Sequence, residues 1–344
     1  MSIVEVLLKP DAYDEKVEKI ELMQTHISFI FLTGKYVYKV KKPVNFEFLD
    51  FTTLEKRRFY CEEEVRVNRP LCGDMYLGVV PINKSPEGIK IKGLGEAVEY
   101  AVKMRQLPQE AMMTALLKKN EVTEKEIDKI AMLLAEFHSK AKTGEGVDEY
   151  GSTAQIRANW VQNFEQTRNL RGSLINKKIF DFTETNVLRF MEREAELFEA
   201  RVAGGRIREC HGDVHSGNIF ILKSGEIYVF DAIEFNRTFK CSDVAAEVAF
   251  LAMDLEFHSR RELANFFVEQ YMRYSGDLQI PRLLPFYRCY RAYVRAKVAS
   301  FKLGDANMGE RDKKEAERLT KRYFDLAYEY AKELHGSQLA EKLL

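Results

Sequence analysis

The spacing of apolar residues changes once along this chain, and that change limits the folds open to it. From His26 to Met104 the runs "HISFIFL", "YVYKVK", "MYLGVVPI", "GIKIK" and "AVEYAVKM" are short and largely alternating, the period of strands joined by tight turns such as Thr33-Gly34-Lys35. One helix interrupts them: Thr52 and Glu55 form a capping box, and the pattern runs to about Asn68, before Pro70. After Leu107 and Pro108 the period becomes helical, with apolar residues three and four apart in "EIDKIAMLLAEFHSKA", "STAQIRANWVQNFEQTRNL" and "TETNVLRFMEREAELFEARVA". Later segments, "DVAAEVAFLAMDLEF", "RELANFFVEQYMRY" and "LPFYRCYRAYVRAKVASFKL", continue it, with a last helix from about Glu310. The expectation is an α+β chain in two lobes. An antiparallel sheet with one main helix spans 1–106, and a largely helical lobe spans 107–344, with a hinge near Arg105 to Pro108.

With 344 residues, 46% of them apolar, the chain can bury a full core. Fifty-three basic residues balance 53 acidic ones, so no global field draws it to nucleic acid or an anionic membrane. Five widely spaced cysteines without a CxxC pair argue against a disulfide framework and a structural zinc site. The N-terminus lacks a basic segment followed by a long apolar one, and Glu247 breaks the apolar run near Ala245 to Met253. A cytoplasmic protein with no membrane span is expected.

The chemistry is concentrated in "ECHGDVHSGNIFILKSGEIYVFDAIEFN", Glu209 to Asn236. "IFIL" and "IYVF" flank "KSGE", whose Ser-Gly centre suits a tight hairpin. Symmetry about Ser224 and Gly225 sets Asn218 opposite Asp231, roughly 5 Å apart across the ladder. Asp213 lies five residues before Asn218 on a loop that starts at His211 and Gly212. Phosphoryl transfer needs such groups: a carboxylate to take the proton of the attacking hydroxyl, and oxygen ligands for Mg2+. Asp213 is then the base, and Asn218 and Asp231 are the metal ligands. Two other readings compete: His211, Asp213 and His215 as ligands of a hydrolase metal, or an ordinary structural turn. The first leaves Asn218 and Asp231 unexplained.

"HGDVHSGN" followed by "FD" resembles the H-G-D-x-H-x-x-N…D signature of the aminoglycoside phosphotransferase and choline kinase superfamily, whose members share the protein-kinase fold. "FDAIEFN", "VAFLAMDL" and "YRAYVRAKV" extend the resemblance to its little-characterised bacterial and archaeal kinases. Many of those carry a second, P-loop ATPase domain. This chain has no GxxxxGK[ST], so the resemblance implies the kinase module alone, with ATP and Mg2+ as cofactors. His211 is counted with the catalytic loop, as its brace, and His215 as structural. Relatives usually have Asp where Glu247 stands, and Asp243 is a second candidate for that supporting role.

A kinase further requires a strand lysine for the phosphates and a helix acid to hold it. Lys39 and Lys41 are both available, Lys39 within the alternating run and Lys41 at its end before Pro43. At 100° per residue Glu64 falls within the stripe of Tyr60, Cys61, Val67 and Leu71, whereas Glu62 and Glu63 face water. A carboxylate centred on an apolar face needs a partner, and Lys39 is the favoured one. The resemblance also makes "VEYAVKMRQLP" the hinge strand, with main-chain adenine contacts at Met104, Arg105 and Gln106. No GxGxxG is present.

On "PFYRCYRAYVRAKVASFKL", Arg288, Arg291, Arg295 and Lys302 form a narrow basic stripe. It is either a solvated face or a site for an anionic small-molecule substrate, since guanidinium forks match phosphate and carboxylate oxygens. It suits a polycationic aminoglycoside poorly. Two functions remain: a small-molecule kinase, and a nucleotide-binding regulatory module with little turnover.

Overall fold

A computed structural model describes residues 2–46, 48–86, 88–304 and 308–341. The chain divides into two compact units, one of Met1–Lys119 with Gly217–Lys240 and one of Asn120–Ser216 with Cys241–Leu344.

In the first unit the alternating runs form one antiparallel sheet from β1 (Glu21–Gln24), β2 (Ser28–Leu32), β3 (Tyr36–Lys41), β4 (Tyr76–Ser85), β5 (Gly88–Ile91) and β6 (Glu96–Arg105), in the order β1-β2-β3-β6-β4-β5. Strand β1 is largely exposed, and its lack of apolar alternation hides it from sequence reading. The helix α1 (Leu54–Cys72) starts one residue later than expected: Thr53 caps it, accepting from Lys56 N at 3.3 Å, while Thr52 bonds back to Asp50. It also runs through Pro70, which sits exposed two residues from the helix end, and stops at Gly73 with φ +46°.

The hairpin strands Ile219–Ile221 and Ile227–Val229 belong to this unit, contrary to the 107–344 grouping expected from sequence order. Phe220 and Tyr228 bury against Cys61, Val65, Tyr76 and Met104, so apolar area assigns the hairpin to the sheet and α1. Residues 107–119 cluster here too, with Leu107 in the same core.

The second unit is helical, from α2 (Glu124–Lys140), α3 (Thr153–Thr167), α4 (Lys177–Arg193), α5 (Ala195–Ala203), α6 (Val244–Phe257), α7 (Arg261–Ser275), α8 (Ile280–Phe301) and α9 (Glu310–Glu341). The continuous pattern through "TETNVLRFMEREAELFEARVA" breaks at Glu194, giving two helices instead of one. Helix α6 is apolar nearly all round and accordingly central, packed by α7 and α8. Two acids, Glu247 and Asp254, are buried on it. Among the described residues no helix is long and apolar enough to cross a membrane. All five cysteines are buried and free.

Candidate active site

The period of two puts Lys39 and Lys41 on the same face of β3, turned toward α1. Lys39 Nζ donates to Glu64 Oε1 at 2.8 Å and to Asp231 Oδ1 at 2.6 Å. Glu64 is fully buried, whereas Glu62 and Glu63 pair with Arg58 and Arg66 at the surface, as the helical geometry predicts. Burial pushes the Lys39 ammonium toward neutrality, but the charges of Asp231 and Glu64 outweigh it and hold its pKa well above the ordinary lysine value. Burial likewise raises the Glu64 carboxyl, and Lys39 and Lys41 more than reverse this. Lys41 is not at a frayed end: it is 1% exposed and donates to Glu64 Oε2 at 2.8 Å and to Glu234.

The hairpin register differs by one residue from the expected one. Ile219 pairs with Val229, and Phe230 N donates to Asn218 O at 2.9 Å, so Asn218 faces Phe230 and not Asp231. The cause is a three-residue turn, Lys223 to Gly225, in which Gly225 adopts φ +92° and its N–H returns to Leu222 O at 2.8 Å. Asp231 lies one step past the ladder with φ +64°, a left-handed conformation that costs a non-glycine residue about 1–3 kcal/mol. Its surroundings enforce it: Asp231 N donates to Tyr76 Oη, Ala232 N to Asn68 Oδ1, and the carboxylate is tied to Lys39. The Asp231 side chain remains 46% exposed.

Met104 is buried in the sheet, paired with Val37 and Tyr76. Arg105 pairs with Asp74. The Gln106 N–H is taken by Lys35 O at 3.0 Å, and its side-chain oxygen accepts from Gly34 N at 2.9 Å. Main-chain recognition expected at Met104 to Gln106 therefore cannot use the Gln106 amide without breaking that bond.

In the second unit the loop from Cys210 to Ser216 is held by the helices around it. Glu247 accepts from His211 N at 3.1 Å and Gly212 N at 2.6 Å, and His138 Nε2 lies 2.7 Å from it. The carboxylate must accept, so His138 carries its proton on Nε2 and Nδ1 takes the Tyr271 hydroxyl at 2.7 Å. Asp254 accepts from Ser216 N at 2.8 Å. Inside the loop Asp213 N donates to His211 Nδ1 at 3.2 Å, which makes His211 a brace. Burial raises the Asp213 carboxyl, but His215, Arg295 and His211 draw it well below the usual aspartate range, so it stays ionised.

The basic stripe divides. Arg288 is engaged by Glu256 and Glu333, and Arg291 donates to Ala246 O and Gly212 O at 3.1 and 3.2 Å with its guanidinium over Phe250. Both are buried structural cations and not the open substrate contacts expected of them. Lys302 is exposed beyond the end of α8. Arg295 meets a side chain of the loop, with Nη1 3.5 Å from His215 Nε2, which in turn lies 3.5 Å from Asp213 Oδ2. Asp243 caps α6 and forms a bidentate pair with Arg201, so it does not share the role of Glu247.

Sequence reasoning missed His138, Asp254, Lys41 with Glu234, and Arg201. The signal was present for the first: His138 continues the apolar stripe of Ile127, Ile130, Ala131 and Leu134, where a polar side chain needs a partner.

Glu247→Ala strands two buried amides, at about 1–3 kcal/mol each, and should lower the melting temperature and speed hydrogen exchange at His211 and Gly212. The Glu247 carboxyl is raised by burial but held below the ordinary range by His138, His211 and Gly212. Its contribution to stability is therefore full at neutral pH and lost as pH falls through that depressed value.

Comparison with solved structures gives the architecture a relative. Aminoglycoside 2'-phosphotransferase-IIIa, in a GDP complex, superposes with a TM-score of 0.53 at 14% identity, covering 91% of this chain and 94% of that one. A glucosamine kinase in complex with glucosamine, ADP and inorganic phosphate gives 0.51 at 14% identity, covering 96% and 81%. The Plasmodium vivax ethanolamine kinase gives 0.50 at 11% identity, covering 91% and 82%. The chain has the protein-kinase-like fold of these phosphotransferases. Within the first unit β3, α1 and the segment after the hairpin bring Lys39, Glu64 and Asp231 together, and the second unit by itself carries the Asp213 loop. Among curated proteins, uncharacterized proteins of Mycobacterium bovis and Mycobacterium tuberculosis are 32% identical over 279 residues, 81% of this chain and 54% of theirs. The kinase-like chain thus spans about half the length of the curated relatives it matches. No protein-family model matches it.

Proposed function

We propose that this chain is a phosphotransferase that moves the γ-phosphate of ATP to a hydroxyl of a small molecule. The observation that carries the reading is Lys39, bridging Glu64 at 2.8 Å and Asp231 at 2.6 Å within one unit. Such a lysine, fixed by an acid on one side and next to a half-exposed carboxylate on the other, is suited to phosphate oxygens. The GDP and ADP bound by its structural neighbours agree with a nucleotide substrate.

Asp231 and Asn218 offer a carboxylate and an amide oxygen, the donor set a hard divalent cation takes, and the exposed face of Asp231 leaves room for one. Mg2+ held there would neutralise charge on the transferring phosphoryl group. Asp213, kept ionised by its basic neighbours, is the base that takes the acceptor proton. His211, Glu247 and Arg291 hold its loop, and Met104 and Arg105 border the adenine. Arg295, turned toward Asp213 and His215, favours an acceptor with an anionic group near its hydroxyl.

A metabolite-pool screen for ATP-dependent phosphorylation, with Asp213→Asn as the blank, tests this reading. Product formed equally by both proteins would sink it. Asp231→Ala should remove the Mg2+ dependence of nucleotide binding, and unchanged Mg2+-dependent binding would take Asp231 out of the site.

A further inference from the structure

Glu234, three residues beyond Asp231, is 7% exposed and its carboxylate meets Lys41 Nζ. Lys41 is 1% exposed, with the Phe51 ring 5.0 Å from its ammonium. It also reaches Glu64, whose two oxygens are divided: Oε1 takes Lys39 and Oε2 takes Lys41, both at 2.8 Å. A buried ammonium without a full counter-charge is strongly unfavourable. With Glu234 neutral, Lys41 would have Glu64 as its only acid among these contacts and would compete with Lys39 for it. The two lysines share a face of β3, so a small rotation of Glu64 would serve one at the expense of the other.

We propose that Glu234 is a positioning residue which, by holding Lys41, keeps Glu64 committed to Lys39 and so fixes the lysine that meets the nucleotide phosphates. The inference rests on the nucleotide reading of Lys39 given above. It assigns the two strand lysines different tasks: Lys39, in contact with the half-exposed Asp231, faces the nucleotide, and Lys41, closed in between two acids, sets the charge balance behind it.

The test is Mg·ATP affinity by titration calorimetry, with melting temperature, on wild type, Glu234→Gln, Lys41→Met, the Lys41→Met/Glu234→Gln double variant and Lys39→Ala. Glu234→Gln should weaken Mg·ATP binding by about 10- to 100-fold, the range for losing a partner that orients a ligand-holding group. The double variant should recover to within about threefold of wild type, because nothing then competes for Glu64. Wild-type affinity in Glu234→Gln, even with a lowered melting temperature, marks a purely structural pair and overturns the proposal. If Glu234→Gln does not fold, the double variant still decides. With Lys41 gone Glu234 is dispensable, and a loss of about tenfold or more in the double variant would show Glu234 acting by itself. Lys39→Ala separates the two levels. Unchanged affinity there ends the nucleotide reading and this proposal together, whereas a large loss there beside a wild-type Glu234→Gln ends only the proposal.

Discussion

Asp213→Asn should lower phosphoryl-transfer turnover by roughly 10²- to 10⁴-fold, the range for losing a general base, while ATP affinity and melting temperature stay near wild type. The substitution is nearly isosteric. The Asp213 N–H bond to His211 is main-chain and survives, and Glu247, Arg291 and Asp254 hold the loop through its main chain. What disappears is the proton acceptor proposed above. The low pKa of the wild-type group also fixes the pH behaviour. Because His215, Arg295 and His211 keep it ionised, it should cause no acid limb in kcat/KM above the ordinary aspartate range, about pH 4. Turnover, ATP affinity and melting temperature measured on one preparation distinguish the alternatives. A structural aspartate would lose stability and nucleotide binding together, and full turnover would refute the mechanism.

The second large effect separates Glu64 from Lys39. Lys39→Ala removes a charge facing Asp231 and should chiefly weaken nucleotide binding, since Glu64 keeps Lys41 as a partner. Glu64→Ala removes the shared acid between two buried ammonium groups. Breaking a buried pair costs about 3–5 kcal/mol, and here the change leaves two cations with less counter-charge. Its urea midpoint should therefore fall well below that of Lys39→Ala, although both lose Mg·ATP affinity. In the double variant the affinity loss should be scarcely larger than in either single one, because the pair acts as a unit. Strictly additive losses would argue that Lys39 and Glu64 serve the nucleotide independently. A larger affinity loss in Lys41→Ala than in Lys39→Ala would exchange the roles of the two lysines.

Much of this was legible in the chain. Alternation marks β2 to β6 because a half-buried strand must show one face to the core and one to water, and helical period marks α2, α3 and α7 for the same reason at a different pitch. The choice of Glu64 over Glu62 and Glu63 needed only the angle per residue and the cost of burying a lone charge. The hairpin's existence followed from Ser224-Gly225 between apolar runs. Its register did not, because one residue more or less in the turn satisfies the same pattern, and the three-residue form moved Asn218 opposite Phe230.

What the tertiary structure alone decided are the partners of side chains distant in sequence. The basic stripe of α8 reads as one surface, yet Glu256 and Glu333 neutralise Arg288, Arg291 is used on main-chain carbonyls including that of Gly212, and Arg295 meets the His215 side chain of the Asp213 loop. Glu234 is 193 positions from the lysine it holds, and His138 is 109 from Glu247. Periodicity reports which face of an element is buried, a property local to the element. Which charge meets which inside depends on how separate elements pack, and burial then makes those pairings obligatory because an unpaired charge away from water is so costly.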